Sequence, residues 1–319
     1  MNEFELIRHY FTRPVSHTRL GVGDDAAIFS PRQGHELHVS VDMLVAGRHF
    51  FPDVDPFKLG HKTLAVNLSD MAAMGATPKW VLLAAALPAV DEDWVANFAR
   101  GFFALADRYQ VDVIGGDTTR GPLTLSVTII GETPQGCALR RDQAKVGDDI
   151  WLSGTVGSAA IGLAYRQQQL SLTSVEQQQA LAALEQPEPR VALGQALLSC
   201  AHAAIDVSDG LLADLGHILQ RSGGLGATLW WDQIPVNALW RDAAWFKPEW
   251  ALAGGDDYEL CFTAPRSARE NIVDMAHRIG IPVSRIGQVE AAHTGTVVLD
   301  THGQPMPIER TGFDHFATS

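Results

Sequence analysis

Six clusters that contain aspartate, four of them with glycine as well, recur along the 319-residue chain, and most of them follow a short apolar segment with strand character. The six clusters are Gly23-Asp24-Asp25, Ser40-Val41-Asp42, Asn67-Leu68-Ser69-Asp70, Gly115-Gly116-Asp117, Asp206-Val207-Ser208-Asp209-Gly210 and Gly254-Gly255-Asp256-Asp257. In open α/β proteins, ligands bind where strands end and loops begin, and glycine lets the backbone approach a ligand closely. The pattern therefore predicts an α/β fold with its binding site at strand-to-loop junctions.

The segments between these clusters alternate between strand and helix periodicity. In the first half we predict strands over residues 37–45, 80–87, 111–114 and 123–131, and helices over residues 55–74 and 91–109. In the second half we predict strands over residues 149–152, 203–207, 227–231 and 258–263, and helices over residues 158–168, 191–200, 211–221 and 267–279. The Gln-rich stretch 167–185 is predicted to be a solvated helix. The length favours two domains, which we place at residues 1–140 and 141–319.

Composition excludes several classes of protein. With 24 Lys+Arg against 37 Asp+Glu the net charge is −13, whereas a nucleic-acid binder normally carries a basic stripe. The longest apolar run, residues 80–90, contains Pro88 and is too short to span a bilayer. Three distant cysteines and no secretory signal fit a reducing compartment. We therefore expect a cytoplasmic protein that binds neither nucleic acid nor a membrane.

The gathered carboxylates predict bound divalent cations, because they would otherwise repel each other. Mg²⁺ takes oxygen ligands and bridges to substrate phosphates, and nothing in the sequence suggests a His/Cys zinc site. Each Asp-Gly pair taken alone also fits a simple turn, and Asp70 alone fits a polar stripe on a helix. The P-loop motif is absent. The stretch at residues 21–26 fits a loose GxGxxA pattern, but no strand of βαβ type is expected before it and its two carboxylates would oppose a pyrophosphate. Arg120, Arg140 and Arg141 are candidates for phosphate contacts, and their chemistry does not separate Arg140 from Arg141.

Several longer segments together closely resemble the thiamine-monophosphate kinase family, from about residue 4 to the C-terminus. They are GVGDDAA (21–27), VDMLVAGRHF (41–50), AVNLSDMAAMGA (65–76), IGGDTTRG (114–121), AIDVSDGL (204–211), GGDDYEL (254–260) and GFDHFA (312–317). This family is similar in fold to aminoimidazole-ribonucleotide synthetase. The resemblance implies an N-terminal α/β domain that dimerises through its sheet, and a C-terminal α+β domain, so we expect a homodimer.

The resemblance also assigns roles to single residues. Positions that bind magnesium are Asp25, Ser40, Val41 (through its carbonyl), Asp42, Asp70, Asp117, Asp206 and Asp209. Positions that contact ATP are Gly116, Asp117, Arg141 and Ser208. Positions that contact the substrate are His49, Asp256 and Phe313. The family commonly has Glu at the position of Asp256, and Tyr or Trp at that of Phe313.

The implied activity is ATP-dependent phosphorylation of thiamine monophosphate to thiamine diphosphate, with Mg²⁺ and direct in-line transfer. The acceptor is a phosphate monoester that is largely dianionic at neutral pH, so no residue is expected to act as a general base. Two other functions are weighed against it. A superfamily synthetase that activates selenide or an amide would carry a cysteine near the N-terminus or at the C-terminus, whereas this chain begins its cysteines at Cys137 and ends at Ser319. A non-catalytic metal or nucleotide sensor would bind ATP without turnover.

Overall fold

The computed structural model describes residues 3–291 and 295–312, and its contacts divide the chain into two compact units. The N-terminal unit comprises Met1–Met71 and Ala76–Ala138, and the C-terminal unit comprises Ala72–Gly75 and Leu139–Ser319. In the described part of the chain, no helix combines the length and the apolar character that crossing a bilayer requires.

The N-terminal unit is built on a four-stranded mixed sheet. Its elements in chain order are α1 (Glu3–Leu6, continued by a π-helix over Ile7–Phe11), β1 (Thr18–Leu20), β2 (Ile28–Phe29), β3 (His35–Val45), α2 (Pro56–Ala73), β4 (Thr77–Leu87), α3 (Glu92–Tyr109), β5 (Asp112–Arg120) and β6 (Thr124–Pro134). The sheet order is β3-β6-β4-β5, with β4 and β5 parallel and the other pairs antiparallel. β1 and β2 form a separate two-stranded ribbon. Consequently β3 and β5 are the two edges of the main sheet.

The two long helices of this unit begin within one residue of the predicted positions, 55 and 91, and pack closely together. Asp91 Oδ1 accepts a hydrogen bond from the Trp94 N–H at 3.1 Å, as an N-cap does. A Cβ on Gly60 of α2 would lie 2.1 Å from the Phe98 carbonyl oxygen, and one on Gly101 of α3 would lie 1.9 Å from the Phe57 carbonyl oxygen. Only glycine therefore permits this backbone-to-backbone approach.

The two faces of β3 differ in chemistry. Ser40 and Asp42 are partly buried on the face that meets α2. The alternate side chains form an apolar row on the opposite face, which the chain leaves open: Leu37, Val39, Val41 and Met43, with exposed fractions of 42%, 65%, 60% and 56%. A strand that alternates in this way normally has one face on a core and one in water, so an apolar row on the solvent side is unusual.

The C-terminal unit contains a six-stranded sheet with helices. Its elements are β7 (Asp149–Ser153), α4 (Ser158–Arg166), α5 (Ser174–Glu185), α6 (Val191–Leu197), β8 (Ala203–Asp206), α7 (Leu211–Arg221), β9 (Gly226–Trp230), α8 (Pro248–Ala253), β10 (Leu260–Ala264), α9 (Arg269–Ile279), β11 (Val283–Glu290) and β12 (Thr296–Leu299). The order is β12-β9-β11-β7-β10-β8. β7, β8 and β10 are completely buried.

Three predictions about local structure were wrong. The strand predicted over residues 111–114 continues to Arg120, because β4 pairs with it in register from Leu82↔Gly115 to Leu87↔Arg120. The clusters of Asp42, Asp70 and Asp117 were expected at strand-to-loop junctions, whereas these residues lie inside β3, α2 and β5. The Gln-rich segment is not one helix, since α5 begins only after Thr173, which forms a capping box with Glu176.

Candidate active site

Three of the predicted ligands come together between β3 and α2. The Ser40 hydroxyl donates a hydrogen bond to Asp70 Oδ2 at 2.5 Å. The Asp42 N–H donates to Asn67 Oδ1 at 3.3 Å, and the Asn67 amide donates in turn to the Thr63 carbonyl at 3.1 Å. Asn67 and Asp70 are three positions apart, so they lie on the same side of α2. The helix therefore presents an amide and a carboxylate to the edge strand.

This environment is unfavourable for a second negative charge. Burial, together with the nearby Asp70 carboxylate, raises the pKa of Asp42 from its ordinary 3.8 to about 7. Both causes penalise the ionised form. A cation between the two carboxylates would offset this penalty, so the pair fits the hard-cation site predicted from the sequence.

We expect the substitution Asp42→Asn to stabilise the metal-free protein. Because the folded pKa lies above the unfolded one, proton-linked stability is complete below about pH 4 and is lost as the pH rises to about 7. The gain should thus be about 1–3 kcal/mol at pH 8 and close to zero at pH 4. Urea unfolding in the presence of a chelator measures both values. The exposed Asp274→Asn serves as the control, and an Asp42→Asn protein less stable than wild type at pH 8 would contradict the charge argument.

Val41, His49 and Asp25, which were also predicted as site residues, each have different surroundings. Val41 directs its side chain to the open face, so only its backbone can act as a ligand. His49 Nδ1 accepts a hydrogen bond from the Val45 N–H at 3.0 Å, which puts the proton of the neutral ring on Nε2. Asp25 lies in an exposed turn, where its N–H donates to Asp24 Oδ1 at 2.8 Å.

Asp117 does not join the Asp42–Asp70 pair within one chain. The pair lies at the β3 edge of the sheet and Asp117 lies on β5, at the other edge, with β6 and β4 in between. Three interstrand spacings separate the two edges by about 14 Å. In register, Asp117 lies opposite Ala84, which is exposed, whereas Asp42 is in register with the buried Val127. The two carboxylates therefore belong to opposite edges and opposite faces.

Gly116 occupies a position of β5 where only glycine fits. Its φ is +152°, and a Cβ would lie 1.8 Å from the Leu83 carbonyl oxygen. A side chain at this position would clash with the backbone of β4 and separate the two strands. The residue before Asp117 must therefore lack a side chain. Over residues 3–291 and 295–312, no three His, Cys, Asp or Glu side chains converge on one point. Such a grouping is not required for Mg²⁺, which is often held by one or two carboxylates plus substrate phosphates and water.

In the C-terminal unit, Asp206 ends β8, and Ser208 and Asp209 lie in the turn before α7. Three consecutive N–H groups of this turn, those of Ser208, Asp209 and Gly210, donate to Asp214 Oδ2 at 3.0, 3.0 and 3.1 Å. Burial raises the pKa of Asp214 to about 6 despite these three donors. Asp214 was not predicted from the sequence. Its signal is an Asp in the first turn of a helix that follows an Asp-Gly pair.

Arg140 and Arg141, which are chemically equivalent candidates for a phosphate contact, have different surroundings in the structure. Arg140 is committed to Asp142 through two parallel bonds, from Nε to Oδ1 at 2.9 Å and from Nη2 to Oδ2 at 2.5 Å. Arg141 is exposed, and its carbonyl accepts from the Ser222 hydroxyl at 3.1 Å, which fixes its backbone. The contact between Arg141 and ATP stays a prediction.

The last predicted residues lie on the loop between α8 and β10 and near the C-terminus. Asp256 Oδ1 accepts a hydrogen bond from the Tyr258 hydroxyl at 3.0 Å. Tyr258 is the second residue that the sequence did not reveal, because a buried tyrosine beside a strand reads as core. Phe313 lies outside the described residues.

Comparison with known proteins now identifies the family. The profile described as AIR synthase related protein, N-terminal domain, matches residues 23–133, and its C-terminal counterpart matches residues 145–300. A protein of Salmonella typhimurium named thiamine-monophosphate kinase is 46% identical over 99% of this chain and 98% of its own length. The chain belongs to the thiamine-monophosphate kinase family. It is therefore an enzyme, a phosphotransferase, and the predicted two-domain fold is confirmed.

Solved structures agree with this assignment. The crystal structure of thiamine-monophosphate kinase from Stenotrophomonas maltophilia K279a superposes with a TM-score of 0.83 and 47% identity, over 88% of this chain and 91% of that one. A structure described as AaThiL complexed with AMPPCP and TMP superposes with a TM-score of 0.78 and 29% identity, over 92% of both chains. Kinases of this family thus share the fold described above.

Proposed function

We propose that this enzyme phosphorylates thiamine monophosphate with ATP and so completes the synthesis of thiamine diphosphate. The observation that carries the proposal is the 46% identity along almost the whole chain to a thiamine-monophosphate kinase. The related complex with AMPPCP and TMP supports ATP and thiamine monophosphate as the two substrates. A cytoplasmic location stays a prediction from the sequence.

We propose that magnesium ions are held by the predicted carboxylates and that none of these acts as a base. Supporting observations are the adjacent Asp42 and Asp70, the raised pKa of Asp42 and the all-oxygen chemistry around them. When bound, Mg²⁺ would supply the positive charge that lets two phosphate groups approach each other. The other positions proposed to bind magnesium are Asp25, Ser40, Val41, Asp117, Asp206 and Asp209. The positions proposed to contact ATP are Gly116, Asp117, Arg141 and Ser208.

In this reaction a terminal phosphate oxygen of thiamine monophosphate attacks the γ-phosphorus of ATP. The new P–O bond forms as the bond to the β–γ bridging oxygen breaks, and ADP leaves. The acceptor carries no proton that must be removed at neutral pH. His49, Asp256 and Phe313 would position the thiamine portion.

We also propose a homodimer that brings Asp117 to the metal ligands. The apolar row on the open face of β3 supports a partner there, since exposed apolar patches mark interfaces. The separation of about 14 Å between the sheet edges prevents Asp42 and Asp117 of one chain from sharing an ion. A second copy on the open face, where Asp117 lies, offers a route by which one copy's Asp117 reaches the other's β3 edge.

An ADP-release assay tests the reaction, with thiamine monophosphate, thiamine or an aminoimidazole ribonucleotide precursor as acceptor, each with and without Mg²⁺. We expect ADP release only in the reaction that contains both thiamine monophosphate and Mg²⁺ besides ATP, with thiamine diphosphate as the second product. ATP made chiral at the γ-phosphorus then tests the transfer, because a single in-line displacement inverts the configuration. Retention of configuration, or a trapped phospho-aspartate, would refute direct transfer and leave the substrate assignment intact.

A further inference from the structure

The loop that carries Asp256, residues 254–258, has an unusual backbone. Asp256 and Tyr258 have φ angles of 66° and 51°, in the left-handed region that non-glycine residues seldom adopt. Such residues are strained and persist only where the surroundings impose them. Because strained residues of this kind cluster at functional sites, the contacts that impose the strain indicate what the loop is built to hold.

Backbone contacts join this loop to the turn before α7. The Asp256 N–H donates to the Ser208 carbonyl at 2.9 Å, and the Tyr258 N–H donates to the Val207 carbonyl at 2.8 Å. Gly255 completes the contact, since a Cβ there would lie 2.4 Å from the Ser208 carbonyl oxygen. The residue proposed to meet the substrate is thus fixed to the segment proposed to meet ATP and magnesium.

Asp257 anchors the loop on its other side. Both of its carboxylate oxygens accept a hydrogen bond from the Gly157 N–H, each at 3.0 Å, at the start of α4. With the backbone held before and after it, Asp256 has little freedom beyond the rotation of its own side chain.

The Tyr258 hydroxyl removes that remaining freedom. Its ring is 8% exposed, and its hydroxyl donates to Asp256 Oδ1 at 3.0 Å. A hydrogen bond to a carboxylate is charge-assisted and directional, so it selects one orientation of the Asp256 side chain.

We propose that Tyr258 is a positioning residue for the substrate: its hydroxyl presets the Asp256 carboxylate in the orientation that binds the thiamine portion of thiamine monophosphate. The inference rests on the proposed function. A carboxylate suits this partner, because the thiamine portion carries a positive ring and an amino group. A carboxylate already oriented loses less freedom on binding, and the benefit appears as substrate affinity.

The substitution Tyr258→Phe tests the proposal, because it removes one oxygen and keeps the buried ring. We expect the KM for thiamine monophosphate to rise about tenfold, as for a lost hydrogen bond to a charged group, with kcat and the KM for ATP within about twofold of wild type. Tyr165→Phe is the matched control: it lies in the same unit, and no described residue of the site shares a hydrogen bond with its hydroxyl. It should leave all three constants unchanged.

A double-mutant cycle with Asp256→Asn separates positioning from general packing. If Tyr258 acts through Asp256, Tyr258→Phe adds less than about twofold to the KM of the Asp256→Asn enzyme. The proposal is overturned if the single substitution leaves the KM unchanged, if it has the same effect in both backgrounds, or if kcat, both KM values and the melting temperature change together. Turnover of thiamine monophosphate by the wild-type enzyme in the same experiment tests the proposed function separately.

Discussion

Arg190→Ala should lower the free energy of unfolding of the C-terminal unit by about 3–5 kcal/mol, the usual cost of breaking a buried ion pair. Arg190 binds Glu259 through two bonds, from Nε to Oε2 at 2.7 Å and from Nη2 to Oε1 at 2.5 Å. The two side chains are only 19% and 7% exposed. Removing the guanidinium leaves a buried carboxylate that still accepts a hydrogen bond from the Ser153 hydroxyl at 2.5 Å but has lost its positive partner.

The Glu259 carboxylate has little space in which to move once Arg190 is removed. Gly154 has a φ of +54°, and a Cβ there would lie 1.9 Å from Glu259 Oε1, so backbone already closes one side of the carboxylate. We therefore expect the melting temperature to fall on the order of 10 °C, which follows from the entropy of unfolding of a unit of this size. Differential scanning calorimetry or urea unfolding measures the change.

Arg140→Ala is the matched control for this prediction. Arg140 and Asp142 have the same two-bond geometry, but their side chains are 58% and 36% exposed, so losing the pair should cost less than about 1 kcal/mol. A double substitution, Arg190→Met with Glu259→Met, removes both charges and should recover most of the loss. If Arg190→Ala costs no more than Arg140→Ala, burial does not decide the strength of these pairs.

The elements that the sequence predicted well are those whose signals are local. α2 and α3 were found because Pro56 and Asp91 mark their first turns and because their apolar faces repeat with helical period. β5 was cut short at residue 114 because Gly-Gly-Asp-Thr-Thr has no apolar pattern of its own. Its last residues are a strand only because β4 pairs with them, and such pairing is a tertiary effect that no window of sequence contains.

In the candidate site, too, the sequence predicts what depends on local signals and not what depends on tertiary structure. The sequence indicates which carboxylates are unusual through their number, since one Asp-Gly pair fits an ordinary turn but six aspartate clusters, most of them after apolar segments, favour a shared site. It does not contain the strand order β3-β6-β4-β5, so it could not reveal that Asp42 and Asp117 lie on opposite edges. Tyr258 and Asp214 were not predicted as site residues for a related reason. Their roles depend on the conformation of the loops that they support, and each looks like a core or helix residue in the sequence.

Asp42→Asn and Asp117→Asn should each lower kcat on the order of 1000-fold, because each removes a carboxylate proposed to hold the Mg²⁺ that neutralises the reacting phosphates. If one site takes Asp42 from one copy and Asp117 from the other, the two inactive proteins complement each other. A heterodimer then has one site with both aspartates and one site with neither.

Mixing the two variants under conditions that exchange subunits should therefore restore about a quarter of the wild-type activity, since half of the dimers are mixed and each has one intact site. Val39→Glu, which places a charge in the apolar row of β3, should abolish the recovery when present in both variants. Val273→Glu is the control, because that valine is similarly exposed at 53% but lies on α9. Activity that stays at the level of the separate variants, in a mixture shown by mass spectrometry to contain heterodimers, would place both aspartates in the site of a single chain. The geometry of the sheet argues against that result, because the hydrogen-bonded spacing of its four strands fixes the distance between its edges and no side-chain rotation closes about 14 Å.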